Sequence, residues 1–129
     1  PYGAANDMVP DPEPLSTYPW LARELDKRGI GFLHVYCQST DWIHDASHPM
    51  MSALRDAYHG GIIACGGFKR DSSEAILARG VADLIAIGKP FIANPDLVER
   101  LRRDVPLNKW DPATFYAGGE KGFTDYPAL

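Results

Sequence analysis

A chain of 129 residues is long enough to bury a hydrophobic core, and 45% apolar with 23% charged residues is the composition of a soluble globular protein. A net charge of −4 gives no attraction to nucleic acid or an anionic membrane surface, and no apolar run approaches the roughly 20 residues that span a bilayer. The two cysteines, Cys37 and Cys65, each end an apolar run; buried, reduced thiols in a cytoplasmic protein are expected, with a disulfide left open.

Residues 1–15 carry Pro1, Gly3, Pro10, Pro12 and Pro14 and read as loop, with a polar opening unlike a signal peptide. A helix is predicted from Ser16 or Thr17 to Gly29, with Leu21 and Leu25 on one face. Ile30 to Tyr36 predicts a strand, and residues 37–47 a loop on the functional side. A second helix, from about His48 to Tyr58, stops at Gly60-Gly61 and leads into a strand over Ile62–Cys65. Asp71-Ser72-Ser73-Glu74 has the form of a capping box, with Asp71 accepting from first-turn amides and Glu74 reaching back. That helix ends at Gly80, and Leu84–Ile87 is the next strand. Asn94-Pro95-Asp96 opens the last helix: Asn94 caps, Pro95 suits the first helical position, and Asp96 favours the positive end of the dipole. It runs to about Arg103. Residues 104–129 form a tail punctuated by proline and glycine.

Strands alternating with helices imply βαβ units and a parallel sheet, and continuous apolar runs suit strands buried on both faces. Three parallel strands leave two open edges, so the pattern is that of part of a barrel. Two of the strands stop abruptly at glycine, in Ala64-Cys65-Gly66-Gly67-Phe68 and in Ile87-Gly88-Lys89-Pro90. Glycine lets backbone amides approach a ligand closely, and Lys89 adds a cation. Such a pair of loops makes a cradle for a phosphate, as after strands seven and eight of (β/α)8 barrels. The alternative at these glycines is a tight turn without a ligand. His44 and His48 have metal-like spacing, but no carboxylate or cysteine completes a ligand set, and no metal is expected. The basic run within Glu99–Asp104 reads as helix capping and solubility.

Several motifs in order resemble the carboxy-terminal part of the Old Yellow Enzyme family. They are Ala64-Cys65-Gly66-Gly67-Phe68, Gly88-Lys89-Pro90-Phe91-Ile92-Ala93-Asn94-Pro95-Asp96-Leu97-Val98, Pro106-Leu107-Asn108, Thr114-Phe115-Tyr116 and Gly122-Phe123-Thr124-Asp125-Tyr126-Pro127. The opening Pro1-Tyr2-Gly3 and Asn6-Asp7-Met8 resemble the segment after the family's fifth barrel strand. The resemblance implies an FMN-dependent (β/α)8 TIM barrel in which NAD(P)H reduces activated carbon–carbon double bonds. This chain would supply strands six to eight, their helices and the tail. It also implies FMN phosphate binding by Gly66, Gly67, Gly88 and Lys89, with Cys65 near the flavin, and Tyr116 with Phe115 on the substrate side. The family usually has arginine where Lys89 stands, and Tyr36-Cys37-Gln38 lacks the acidic residue and proline of many members. The flavin-facing arginine, the substrate-anchoring pair and the tyrosine proton donor belong to strands four and five. By the same resemblance, a complementary chain carrying strands one to five completes the enzyme, and a small activated alkene is its substrate. A stand-alone phosphate- or flavin-binding module without catalysis is the alternative.

Overall fold

Three parallel strands, β1 (Phe32–Tyr36), β2 (Gly61–Cys65) and β3 (Leu84–Ala86), lie in the order β1-β2-β3 in a computed structural model of the chain. The structure describes residues 8–37, 43, 45, 48–116 and 119–129. The chain divides into two compact units, Pro1–Ala86 and Ile87–Leu129. The first contains the whole sheet with α1 (Pro14–Lys27), α2 (Pro49–Ala57) and α3 (Arg70–Ala78). The second contains α4 (Lys89–Ala93), α5 (Leu97–Arg103) and a 3-10 turn at Pro112–Thr114.

The register aligns His34 with Ile63 and Leu84, and Tyr36 with Cys65 and Ala86. Alternate residues therefore share a face. Ile62 and Ala64 are wholly buried in a cluster with Ala22 of α1, Met50, Met51 and Leu54 of α2, and Ile76 of α3. The other face is open: Phe32 is 59%, Tyr36 58% and Leu84 60% exposed. Burial on both faces, as the apolar runs imply, is not found, because the helices of this unit all feed one side of the sheet.

The crossover helices have local causes. Pro14 at its first turn starts α1 two residues before Ser16, and Ser16 and Thr17 both donate their amides to the Glu13 carbonyl at 3.0 Å. His48 caps α2 by accepting from the Met50 amide at 3.2 Å. At α3 the predicted Asp71 cap is not used. The helix opens at Arg70, the Lys69 amide donates to Ser72 Oγ at 3.0 Å, and the Ser73 hydroxyl donates to the Lys69 carbonyl at 2.7 Å. Short serine hydroxyls reach that turn directly, so Ser72 fills the reciprocal position of a capping box shifted upstream.

At the amino ends of the strands, Tyr58 is fully buried and its hydroxyl donates to the Ile30 carbonyl. Arg55 donates to the carbonyls of Tyr58 and Gly60 and, at 2.9 Å, to Asp83. Asp83 also accepts from the Ile62 amide at 2.7 Å, tying α2 to β2 and β3.

At the end of α1, Glu24 pairs with Lys27 and Arg28, each at 2.8 Å. Hydrogen bonds from these two cations lower its pKa from 4.5 to about 2. A depressed carboxylate stabilises the fold above its unfolded pKa and loses that contribution as pH falls through the folded one. Unfolding followed between pH 4.5 and about 2 is therefore expected to show a falling stability that Glu24→Gln makes flatter. An unchanged slope in that variant would reject the pairing as its cause.

In the second unit the prediction that Asn94 caps the last helix is corrected. Asp96 precedes α5, and Asn94, wholly buried, joins distant segments. Its side-chain nitrogen donates to the Pro90 carbonyl at 2.8 Å, and its oxygen accepts from the Asn108 amide at 2.8 Å. In the Glu99–Asp104 run, expected to serve helix capping and solubility, Arg102 and Arg103 are exposed and pair with Glu99, whereas Arg100 is only 5% exposed and so is not a solvated side chain. No described helix is long and apolar enough to cross a membrane.

Candidate functional site

The carboxy end of the central strand carries Cys65, Gly66 and Gly67. Cys65 lies on the open face of the sheet with Tyr36 and Ala86 as its register partners, and partial burial pushes its thiol pKa up. The Cys37 amide continues the ladder by donating to the Cys65 carbonyl at 2.9 Å. Strand alternation then turns the Cys37 side chain to the helix-covered side, where it joins the core at 6% exposure. Cys37 and Cys65 are not joined to each other, and their placement on opposite faces gives no geometry for a disulfide between them.

Gly66 has φ +157°, and a Cβ there would lie 2.8 Å from the Cys37 carbonyl oxygen and 3.2 Å from Ile43 Cγ2. The packing of β1 against β2 alone therefore demands glycine at this position. Gly67 follows with φ +67°, so the chain turns sharply away from the sheet at the strand's end. Among the predicted cofactor residues, Cys65, Gly66 and Gly67 are held by the first unit.

β3 ends level with β2, Ala86 opposite Cys65. Gly88 and Lys89 follow in the chain and belong to the second unit. Gly88 caps the short α4 with φ −95°, and among the described residues no heavy atom lies within 4 Å of a Cβ built on it. Nothing within the described chain requires glycine there. Lys89, the first residue of α4, is exposed.

Tyr116 is 100% exposed, and the half-buried Phe115 meets it edge-on with ring centroids 6.5 Å apart. Both follow the 3-10 turn, in which Asp111 caps by accepting from the Ala113 amide at 3.0 Å. His44 lies outside the described residues, while His48 is committed to the cap of α2. Among the described residues no three His, Cys, Asp or Glu side chains gather to hold a metal.

Two features escape a reading of the sequence. A groove of about 380 Å³ is lined by Tyr18, Leu21 and Leu25 of α1, Leu33 and Val35 of β1, and Leu54 of α2. It holds none of the predicted site residues. The second feature is the Arg100 cluster of the second unit, whose only local signal is the i, i+4 pair with Asp96.

A sequence model of the NADH:flavin oxidoreductase / NADH oxidase family matches residues 22–108. The chain is 39% identical to 12-oxophytodienoate reductase 2 of Arabidopsis thaliana, with 92% of this chain and 32% of the relative covered. It is also 39% identical to a 12-oxophytodienoate reductase-like protein of Solanum lycopersicum, over 91% of this chain and 31% of the relative. Among solved structures, it resembles morphinone reductase in complex with tetrahydroNAD, at 40% identity and a TM-score of 0.87. All of this chain and 34% of that one are covered. A variant of NCR from Zymomonas mobilis is 30% identical with a TM-score of 0.81, over all of this chain and 41% of that one. The chain thus spans about a third of the length of the curated relatives it matches.

Proposed function

Because the chain belongs to the NADH:flavin oxidoreductase / NADH oxidase family, the family of the Old Yellow Enzymes, we propose that it forms strands six to eight of an FMN-dependent ene-reductase barrel. A complementary polypeptide supplies strands one to five and covers the open face that carries Phe32, Tyr36 and Leu84. The observation that carries this reading is the level register of Cys65 and Ala86. Ligands of α/β folds bind beyond the carboxy ends of parallel strands, where the Gly66-Gly67 loop leaves β2.

The residues present suit a flavin phosphate. Gly66 and Gly67 offer backbone amides beyond β2, Gly88 leaves room for close approach, and Lys89 adds a positive charge. When bound, FMN supplies the redox chemistry, accepting hydride from NAD(P)H and passing it to an activated carbon–carbon double bond. The Lys89 ammonium neutralises phosphate charge as a point charge, without the two-pronged geometry of arginine. Cys65, on the open face, borders the flavin. Tyr116, braced by Phe115, presents its phenol to the substrate. Proton delivery to the alkene falls to the complementary part.

A hydrogen bond to a charged group contributes about 1.5–3 kcal/mol, or roughly 10–100-fold in affinity. Lys89→Gln is expected to weaken FMN binding by about that factor in a fluorescence titration, while Lys89→Arg retains it. Equal affinity in all three proteins would remove Lys89 from the site. The larger test is the visible spectrum of purified protein together with the intact mass of every polypeptide in it. A flavin band with a second polypeptide is expected. Colourless protein would overturn the flavin assignment. A flavin band from one polypeptide would overturn the two-chain arrangement alone.

A further inference from the structure

The buried guanidinium of Arg100 is satisfied on all its prongs by three separate segments. Nε donates to Asp96 Oδ1 at 2.7 Å, Nη1 to the Pro106 carbonyl at 2.9 Å, and Nη2 to the Pro127 carbonyl at 3.0 Å. Asn108 stands beside it. Its side-chain nitrogen donates to the carbonyls of Ala93 and Pro127, both at 2.8 Å. Asp96 accepts the Leu129 amide on its other oxygen at 2.6 Å, and the Arg100 hydrogen bond holds its pKa below the usual carboxylate value. Pro106–Asn108 and Pro127–Leu129 are thus gathered onto one point between α4 and α5.

The chain between these two pinned ends is braced by further rungs. The Asp111 amide donates to the Tyr126 hydroxyl at 3.1 Å. Thr114 lies over Gly122 so closely that a Cβ on Gly122 would be 2.0 Å from Thr114 Oγ1. The Gly122 amide in turn donates to Asp125 Oδ1 at 2.7 Å. Rungs joining 108 with 127, 111 with 126, and 114 with 122 make two limbs of one arm. Tyr116, fully exposed, lies in the chain beyond the last rung.

We propose that Arg100 and Asn108 are positioning residues that hold this arm as one body and so fix Tyr116 for the substrate; this rests on the substrate role proposed above for Tyr116. The clamp acts at the base and its effect is read at the tip. Lysine keeps the charge of Arg100 but cannot serve three divergent acceptors in one plane.

The test combines hydrogen exchange and kinetics on the FMN-loaded protein, with Arg100→Lys and, should that variant fail to fold, Asn108→Ala. Amides of Asp111, Gly122 and Leu129 are expected to exchange at least about tenfold faster while those of β2 keep their protection. The alkene KM is expected to rise about tenfold with kcat and flavin reduction by NAD(P)H within about twofold, and the rise is expected to vanish in a Tyr116→Ala background. Unchanged exchange in the arm, or loss of protection spread equally to β2, would overturn the clamp. A loosened arm with an unaltered KM, or the same KM rise with Tyr116 removed, would overturn its positioning role. Protein without flavin would sink the functional reading instead, and hydrogen exchange would then judge the clamp by itself.

Discussion

Gly66→Ala is expected to destabilise the fold by about 3 kcal/mol, which at this chain length lowers the thermal midpoint by roughly 10 °C. Two causes add. The φ of +157° lies where side chains are strained, and the new methyl would sit 2.8 Å from the Cys37 carbonyl oxygen. That oxygen belongs to the backbone just beyond β1, where the Cys37 amide is held by the Cys65 carbonyl, and cannot swing aside. Thermal unfolding followed by circular dichroism measures the loss, and a midpoint within a degree or two of the parent would reject the geometry. The same variant is a poor probe of flavin binding, because its fold suffers first. Gly88→Ala is the useful contrast. With φ −95° and no described atom within 4 Å of the added methyl, its midpoint is expected to stay put while FMN affinity falls.

Tyr58→Ala is expected to cost about 3–5 kcal/mol, the range for removing a buried aromatic ring. The ring is fully buried, and its hydroxyl satisfies the Ile30 carbonyl. Tyr58→Phe, which removes only that bond, is expected to cost about 1–3 kcal/mol because a buried acceptor is left unpaired. Gly60 lies directly beneath the ring: a Cβ there would be 2.4 Å from the Tyr58 hydroxyl and 2.6 Å from Cζ. The ring cannot retreat, since its oxygen is held by Ile30 and its own carbonyl by Arg55. Gly60→Ala is therefore expected to harm the parent protein and to be nearly silent once Tyr58 is alanine. Denaturant melts of the four proteins form a double-mutant cycle, and purely additive losses would dismiss the contact.

The fold was legible where local causes decide it. Glycine at Gly29, Gly60, Gly61 and Gly80 bracketed helices and strands to within a few residues. The parallel order followed from their alternation. Sequence reading failed where the deciding partner is distant. Arg100 sits in a charged run that reads as solvated, yet its acceptors are the carbonyls of Pro106 and Pro127. No periodicity encodes a carbonyl 27 residues away. Asn94 was misassigned for the same reason, its amide spent on Pro90 and Asn108 and not on the first turn of α5. Asp71 illustrates a different failure: two neighbouring serines compete for the same cap, and geometry favours the shorter side chain. Of the candidate site, the glycines stand out in the sequence but the structural demand at each does not. Gly66 answers to the backbone just beyond β1 and Gly88 to nothing described in the chain, a distinction visible only in three dimensions.

Strands that stand at the rim of a sheet in water usually carry lysine, proline or a bulge to discourage other chains from pairing with them. β1, which no described strand joins on its outer side, reads Phe-Leu-His-Val-Tyr and has none of these. Preparations in which that rim is left bare are accordingly expected to self-associate with increasing concentration, through ladders of β1 against β1, and a single lysine in the middle of the strand would be the simplest remedy.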